Sequence, residues 1–473
     1  MFKRKISISL EKEAFGLKRA VVLAGGGSRG AYQIGVWKAM IQLGMDYQIV
    51  TGSSVGSLNG ALMVQGDYER AKSLWEQLSY ENVIAMKEPP QLETERQRRK
   101  MFTSFAREAL EKGGLDVLPL EELVRQTVDE KSIRRSSVDF GLVTVEYPSF
   151  RPVQLEKNQI PAGMLCDYLL ASSACFPAFK AKNIDGKAFI DGGYYDNMPV
   201  NLALSMGAEE IVAVDLASYG IVRSIPKAAK SFTKIIRSHW ELGGFLVFEP
   251  ETAKRNMRLG YLDAMASFGE YEGVAYKFPI GESAKNAIVL QDGFLEILRR
   301  LGFSKETKAA NAVHYAPFER MIRFKIFKQL KLGCRTNRRP NVQDVLFAMA
   351  EIAGETMGLD PCHLYTFQRF NFELLKAFAA VGHSRFSQIE QELNDLANKQ
   401  LPNKKLSLFD SKEITSFVYE RIGNILEGKA HEGEVRIYST LTSRELIAAL
   451  YLWLIQKYDY LYRGDFTDNV FEK

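Results

Sequence analysis

The chain has 473 residues, 46% of them hydrophobic and 25% charged, with a formal net charge of +5. This is the composition of a folded chain with real cores, long enough for roughly two to four domains, and it excludes an extended disordered protein. The charge is too small to indicate nucleic-acid binding but is compatible with contact to an anionic membrane surface, and no run reaches the roughly 18 apolar residues of a membrane-spanning helix.

The N-terminal "MFKRKISISLEKEAF" is broken by charge and has no apolar core, so no secretory signal is expected. Cys166, Cys175, Cys334 and Cys362 show neither a CxxC pair nor metal-ligand spacing. They read as reduced, buried thiols of a cytoplasmic protein with no metal site. Any membrane contact is then expected to be peripheral, at the inner face.

"RAVVLA" (residues 19–24) reads as a short buried strand, and "AYQIGVWKAMIQLG" carries apolar residues at helical spacing up to a stop at Gly44. Between them lies "GGGSRG", three consecutive glycines followed by Ser28, Arg29 and Gly30. Glycines are conformationally costly to order, so the turn needs a reason. Gly25, Gly27 and Gly30 fit the G-x-G-x-x-G fingerprint of dinucleotide-binding proteins, which would make the chain a nucleotide-binding regulator. That fingerprint expects an acid about 20 residues on, at the end of the second strand. Here the second strand, "YQIV", ends in "TGSSVG", and Asp46 precedes it. The alternative is a cradle of backbone amides for the oxyanion of an acyl-transfer intermediate, where one donor is worth roughly 3 kcal/mol.

"GSSVG", Gly52 to Gly56, is a GxSxG pattern with Ser54 at its centre, between a strand and a small-residue helix. A sharp strand-to-helix turn of this kind exposes its serine at a helix N-terminus, where amides and dipole favour negative charge. A charged helical region follows from about Ala71 to Arg135, with a basic knot at Arg96–Lys100, and suggests a cap over the sheet. "VDFGLVTVEY" and "RPVQL" return to strand character. "FIDGGYYDN" then places Asp191 after an apolar run and before Gly192 and Gly193, where its carboxylate could accept the serine proton; a plain Asp-Gly turn is the bland reading. Asp196 and Asp215 compete for that role. His239 satisfies the order Ser, Asp, His, but a fold of that type places several strands before its nucleophile, whereas Ser54 follows only the second. A structural histidine is the expectation.

Strand–helix alternation lasts to about Phe278, after which helical patterns dominate. The expected organisation is an α/β domain over 18–280 and a mostly α-helical domain over 281–473. Within the latter, Arg320–Arg339 holds eight Lys and Arg and no acid. As a helix it would line up Ile322, Ile326 and Leu330 beside Lys328, Lys331 and Arg335. It could lie on anionic lipid, although an ordinary packed helix with a solvated basic face is the commoner case.

Three features occur in order: "GGGSRG" at Gly25, "GSSVG" at Gly52 and "DGG" at Asp191, with "ASSACFPAF" before the aspartate and "DNMPV" after it. Over about residues 18–280 the chain resembles the patatin-like phospholipase family, in a bacterial-type form with an added helical region. The resemblance implies a three-layer α/β/α core with a mainly parallel sheet and hydrolysis of acyl-ester lipids, of the phospholipase A or lysophospholipase type. It also implies Ser54 as nucleophile, Asp191 as general base without a histidine, no cofactor, and oxyanion amides from the Gly25–Gly27 turn, chiefly Gly26 and Gly27, with Arg29 and Gly30 beside them. Ser53 and Val55 stand where threonine and alanine are more usual in that family, which bears on the width of the acyl pocket. An inactive lipid-binding scaffold would retain the same motifs.

Overall fold

Apolar β-branched runs bounded by glycine turns build the first part of the chain into a layered α/β structure. The computed structural model describes residues 17–85, 113–301, 341–399, 409–429 and 441–462. Arg96–Lys100, Arg320–Arg339 and Cys334 lie outside the described residues. The chain divides into two compact units, one ending at Ser267 and one beginning at Phe268.

The first unit opens with β1 (Arg19–Leu23), α1 (Ala31–Gln42), β2 (Ile49–Ser53), α2 (Val55–Gln65) and α3 (Tyr68–Gln77). After the undescribed stretch come α4 (Leu118–Thr127), α5 (Glu130–Arg135), β3 (Asp139–Tyr147), β4 (Arg151–Glu156) and α6 (Leu165–Ser172). β5 (Lys182–Ile184), β6 (Lys187–Asp191), α7 (Val200–Ser205), β7 (Glu210–Asp215), β8 (Thr233–Arg237) and α8 (Pro250–Phe268) complete it.

The sheet has eight strands in the order β5-β6-β3-β2-β1-β7-β8, with β4 paired to β3. β3, β2, β1, β7 and β8 run parallel; β4 and β6 pair antiparallel to β3, and β5 pairs antiparallel to β6. The period-two alternation of strands sends side chains to both faces. Ala20, Val22, Ile49, Ile211 and Ala213 pack with Val200 and Ala203 of α7 on one face. On the other, Gly60 of α2 lies against Leu23, Val50 and Phe140. Helix, sheet and helix therefore form three layers.

One feature of the register positions the site. β3 pairs with β4 along one edge over Gly141–Glu146. Its opposite edge is shared: β2 occupies Asp139–Val143 and β6 occupies Thr144–Tyr147. Ser53 sits opposite Val143 and Asp191 opposite Thr144. Parallel β2 and antiparallel β6 thus meet head to head, and the residues that follow each strand are brought together.

The second unit begins with a two-stranded hairpin, β9 (Tyr271–Glu272) and β10 (Phe278–Pro279). Its described helices are α9 (Glu282–Arg300), α10 (Val342–Met357), α11 (Phe367–Ala379), α12 (Phe386–Lys399), α13 (Ser411–Leu426) and α14 (Ser443–Gln456). Asn341 with Asp344, and Asp410 with Glu413, form capping boxes that fix the starts of α10 and α13. The run Leu446–Leu452 is buried throughout, which makes α14 a core helix. The division falls ahead of the break expected near residue 280. Glu351 of α10 accepts hydrogen bonds from the amides of Val274, Ala275 and Tyr276, and so ties this stretch to the helical unit.

Candidate active site

The peptide turns out of β2 at Ser54 with φ 54° and ψ −133°, a conformation that costs a non-glycine residue on the order of 1–3 kcal/mol. Local contacts hold it there. The Ser54 amide donates to Ser172 Oγ at 3.0 Å, and that hydroxyl donates to the Val143 carbonyl at 2.7 Å. The Ser54 carbonyl accepts from the Ser57 amide at 2.9 Å and the Ser57 hydroxyl at 2.7 Å. Gly56 allows the close approach of α2 to β1: a Cβ there would lie 2.2 Å from the Leu23 carbonyl oxygen. Gly52 packs against the Gly56 backbone, and Val55 against Gly30. Ser54 therefore heads α2 at the carboxyl end of the central strand β2.

Asp191, the last residue of β6, is 6% exposed. Its Oδ1 accepts from the Gly193 amide at 2.7 Å. Burial pushes the carboxyl up to about 6, against the lowering effect of hydrogen bonds from the Ser54 hydroxyl and the Gly193 amide. Gly192 packs on Val143 and Ser53, where the two strand ends converge.

The glycine turn lies on the other side of Ser54. Gly27 has φ +56°, and a Cβ on it would sit 2.0 Å from the Phe245 carbonyl oxygen. The turn's own backbone bonds are made by the amides of Ala24, Gly25, Ser28 and Arg29. Gly26 and Gly27, together with Ser54 and Asp191, line a cavity of about 540 Å³. Gly25 packs on Ser54 Cβ and on Asn197, while Gly30 is wedged by Val55 and Trp75. The Arg29 side chain is used elsewhere: its guanidinium donates to the carbonyls of Gly243 and Ala217 at 2.8 Å each.

Asn197 is the residue whose part the sequence does not disclose. Its carbonyl accepts from the Gly25 amide at 2.9 Å, its Nδ2 donates to the Gly25 carbonyl at 3.2 Å, and its amide donates to the Ile221 carbonyl at 2.6 Å. A trans peptide points its C=O and the next N–H in opposite directions. By gripping the Gly25 carbonyl, Asn197 fixes the direction of the Gly26 amide. The only advance signal is its position in "DNMPV". Ser172 likewise lies within "ASSACFPAF".

The cavity wall comes from scattered helical positions, among them Leu58, Leu62, Leu74, Trp75, Leu123 and Val124. Helices α3 and α4 thereby supply part of the cover expected from the charged helical region. Asp191 is the only charged residue among the described lining residues, and no histidine is among them. A nucleotide phosphate would meet a carboxylate and no cation, which weighs against the fingerprint reading of Gly25, Gly27 and Gly30. His239 stacks edge-on against Trp240, ring centroids 5.7 Å apart. Asp215 is held by the Arg237 guanidinium and the Ala217 amide. Asp196 is buried behind the aspartate turn, with Oδ1 accepting from the amides of Met198 and Arg223 and Oδ2 unpartnered. Cys166 is buried, Cys175 and Cys362 are half-buried, and all three are free thiols. No group of acids, histidines and cysteines able to hold a metal occurs among the described residues, and none of the described helices is long and apolar enough to cross a membrane.

A serine on a strand-to-helix elbow beside a buried carboxyl, at the end of a mainly parallel sheet, is an arrangement shared with α/β hydrolases. Residues 21–204 match the family model of patatin-like phospholipases, so the chain carries a patatin-like phospholipase domain. Curated relatives agree. The chain is 30% identical over 204 residues to patatin-like phospholipase domain-containing protein 6 of Mus musculus, which covers 42% of this chain and 13% of the relative. It is 27% identical over 224 residues to lysophospholipase nte1 of Aspergillus terreus, covering 44% and 12%. The chain thus spans only about an eighth of the length of these relatives. Among solved structures it is similar to VipD from Legionella pneumophila, with 12% identity, 93% and 91% coverage and a TM-score of 0.34.

Proposed function

We propose that the protein is a serine acyl hydrolase of lipid esters, of the phospholipase A or lysophospholipase type, working through Ser54 and Asp191. The observation that carries this reading is the convergence of the Ser54 elbow and the buried Asp191 carboxyl, at the meeting ends of β2 and β6, on the wall of an apolar cavity that Gly26 and Gly27 also line. An ordinary serine is a weak nucleophile and an ordinary aspartate a weak base. Burial raises the basicity of Asp191 while leaving it mostly ionised above neutral pH, which suits proton abstraction.

In the proposed sequence the ester's acyl chain occupies the cavity. Ser54 Oγ attacks the carbonyl carbon as Asp191 takes the hydroxyl proton. The carbonyl oxygen becomes anionic and receives the Gly26 and Gly27 amides. Collapse expels the alcohol, protonated by Asp191, and leaves an acyl-serine. Asp191 then takes a proton from water, the resulting hydroxide attacks the acyl-serine, and a fatty acid is released as Ser54 regains its proton.

A fluorophosphonate probe tests the reading directly. It is expected to label Ser54; Ser54→Ala abolishes labelling and ester turnover, Asp191→Asn lowers turnover by roughly 10²–10⁴-fold, and His239→Ala keeps it. Turnover that persists in Ser54→Ala rules the mechanism out.

A further inference from the structure

We infer that the loop after β7, together with the apolar rim it forms with the aspartate turn, docks on an anionic phospholipid bilayer and opens the cavity to it. The inference rests on the hydrolytic reading for its purpose but not for its evidence. Residues 217–231 form an almost continuously exposed segment. At its head, Tyr219 is 87%, Ile221 54% and Val222 49% exposed. Phe150, 55% exposed, and Tyr194 extend the same surface, their ring centroids 6.3 Å apart. The loop is strapped to the aspartate turn: the Ile221 amide donates to the Gly193 carbonyl at 2.9 Å, and the Ile221 carbonyl accepts from Asn197. Large apolar side chains are thus held out into solvent by a fixed backbone, where singly exposed ones would need no explanation.

Charge identifies the occupant. From Leu216 to Ser238 the sequence has five cations and no carboxylate. Lys234 turns inward to the Ser267 carbonyl and Arg237 pairs with Asp215. Arg223 stands over the Tyr195 ring at 3.8 Å, and Lys227 and Lys230 are exposed. Arg223 lies near the buried Asp196 carboxyl, whereas apolar side chains beside exposed Lys227 and Lys230 match the interface of an anionic bilayer, apolar beneath and negative above. Tyr194, Tyr219 and Ile221 also line the mouth of the Ser54 cavity. An acyl chain leaving a bilayer here would pass from lipid to apolar wall without crossing water.

The test is co-sedimentation of the full chain with vesicles of phosphatidylcholine and phosphatidylglycerol in equal amounts, alongside turnover of a dispersed short-chain ester. Wild type is expected to sediment, less at high salt. Lys227→Glu/Lys230→Glu and Phe150→Asn/Val222→Asp are each expected to weaken sedimentation about tenfold or more while leaving soluble-ester turnover unchanged. Asparagine is chosen because Phe150 has φ 53°. Failure of wild type to sediment, or variants that sediment like wild type, overturns the inference. So does loss of sedimentation only on charge reversal at Lys328, Lys331 and Arg335. Absence of soluble-ester turnover in wild type that still sediments would instead count against the hydrolytic reading.

Discussion

Asp191 and Asp196 are five residues apart, both buried, and both pushed up to about 6 by burial. Only Asp191 faces Ser54, so pH separates their roles. A general base works ionised; kcat/KM should rise with pH through an apparent value of about 6 and level off above it. Asp196→Asn should keep that acidic limb, whereas Asp191→Asn should flatten what activity remains. Stability runs the other way. A carboxyl raised in the folded state binds its proton more tightly there than in the unfolded chain, so stability falls as pH rises from about 4 to about 6 and the full penalty remains above. Replacing Asp196 by neutral asparagine removes that penalty. The stability of Asp196→Asn relative to wild type should therefore improve from pH 4 to pH 8, by on the order of 2–3 kcal/mol. Denaturant melts at several pH values check this, and a pH-independent difference would show that Asp196 does not titrate in the folded protein.

The elements of the site differ in how openly the sequence announces them. The serine elbow is legible because a buried strand, a GxSxG turn and a helix are all local patterns, and Gly52 and Gly56 stand where β2 and α2 crowd. The Asp191 turn is legible as a turn, but its arrival beside Ser54 is not. That depends on β6 joining β3 antiparallel, on the edge β2 leaves free, and strand direction leaves no trace in local periodicity. Arg29 neighbours the glycines in sequence, yet its long side chain reaches away to the carbonyls of Gly243 and Ala217. Another element-scale contact is hidden in single glycines. A Cβ on Gly35 of α1 would lie 1.9 Å from the Met257 carbonyl oxygen, and one on Gly260 of α8 would lie 2.0 Å from that of Tyr32. Alanine would gain up to about 1 kcal/mol of helix propensity at either site. Backbone carbonyls cannot yield as flexible side chains do, so overpacking should win. Gly35→Ala and Gly260→Ala are each expected to destabilise by about 1–3 kcal/mol in urea melts. Because α1 follows directly from the glycine turn, both should also slow labelling of Ser54.

At the scale of the molecule, the chain divides between Ser267 and Phe268, and a buried carboxylate holds the stretch that follows within the second unit. Glu351 of α10 receives the amides of Val274 and Ala275 at 2.7 Å and of Tyr276 at 3.1 Å, all on one oxygen. Burial raises its carboxyl, and those three hydrogen bonds work against the rise. The residues it anchors lead into an aromatic cluster: Tyr276 sits edge-on to Phe370, and Phe278 stacks on Phe367 with centroids 4.4 Å apart. No run of sequence near 274–276 points to a glutamate some 75 residues later, so periodicity alone groups this stretch with the strands before it. Truncation to alanine takes this acceptor from three amides, those of Ala275 and Tyr276 buried, and a buried amide left unreplaced costs about 1–3 kcal/mol. Glu351→Ala is therefore expected to speed hydrogen exchange at residues 274–276 and along α10, and to lower the unfolding midpoint of the helical unit. Glu351→Gln keeps an acceptor oxygen and should restore most of the protection. Equal exchange in wild type and Glu351→Ala would mean that the aromatic cluster alone holds the hairpin in place.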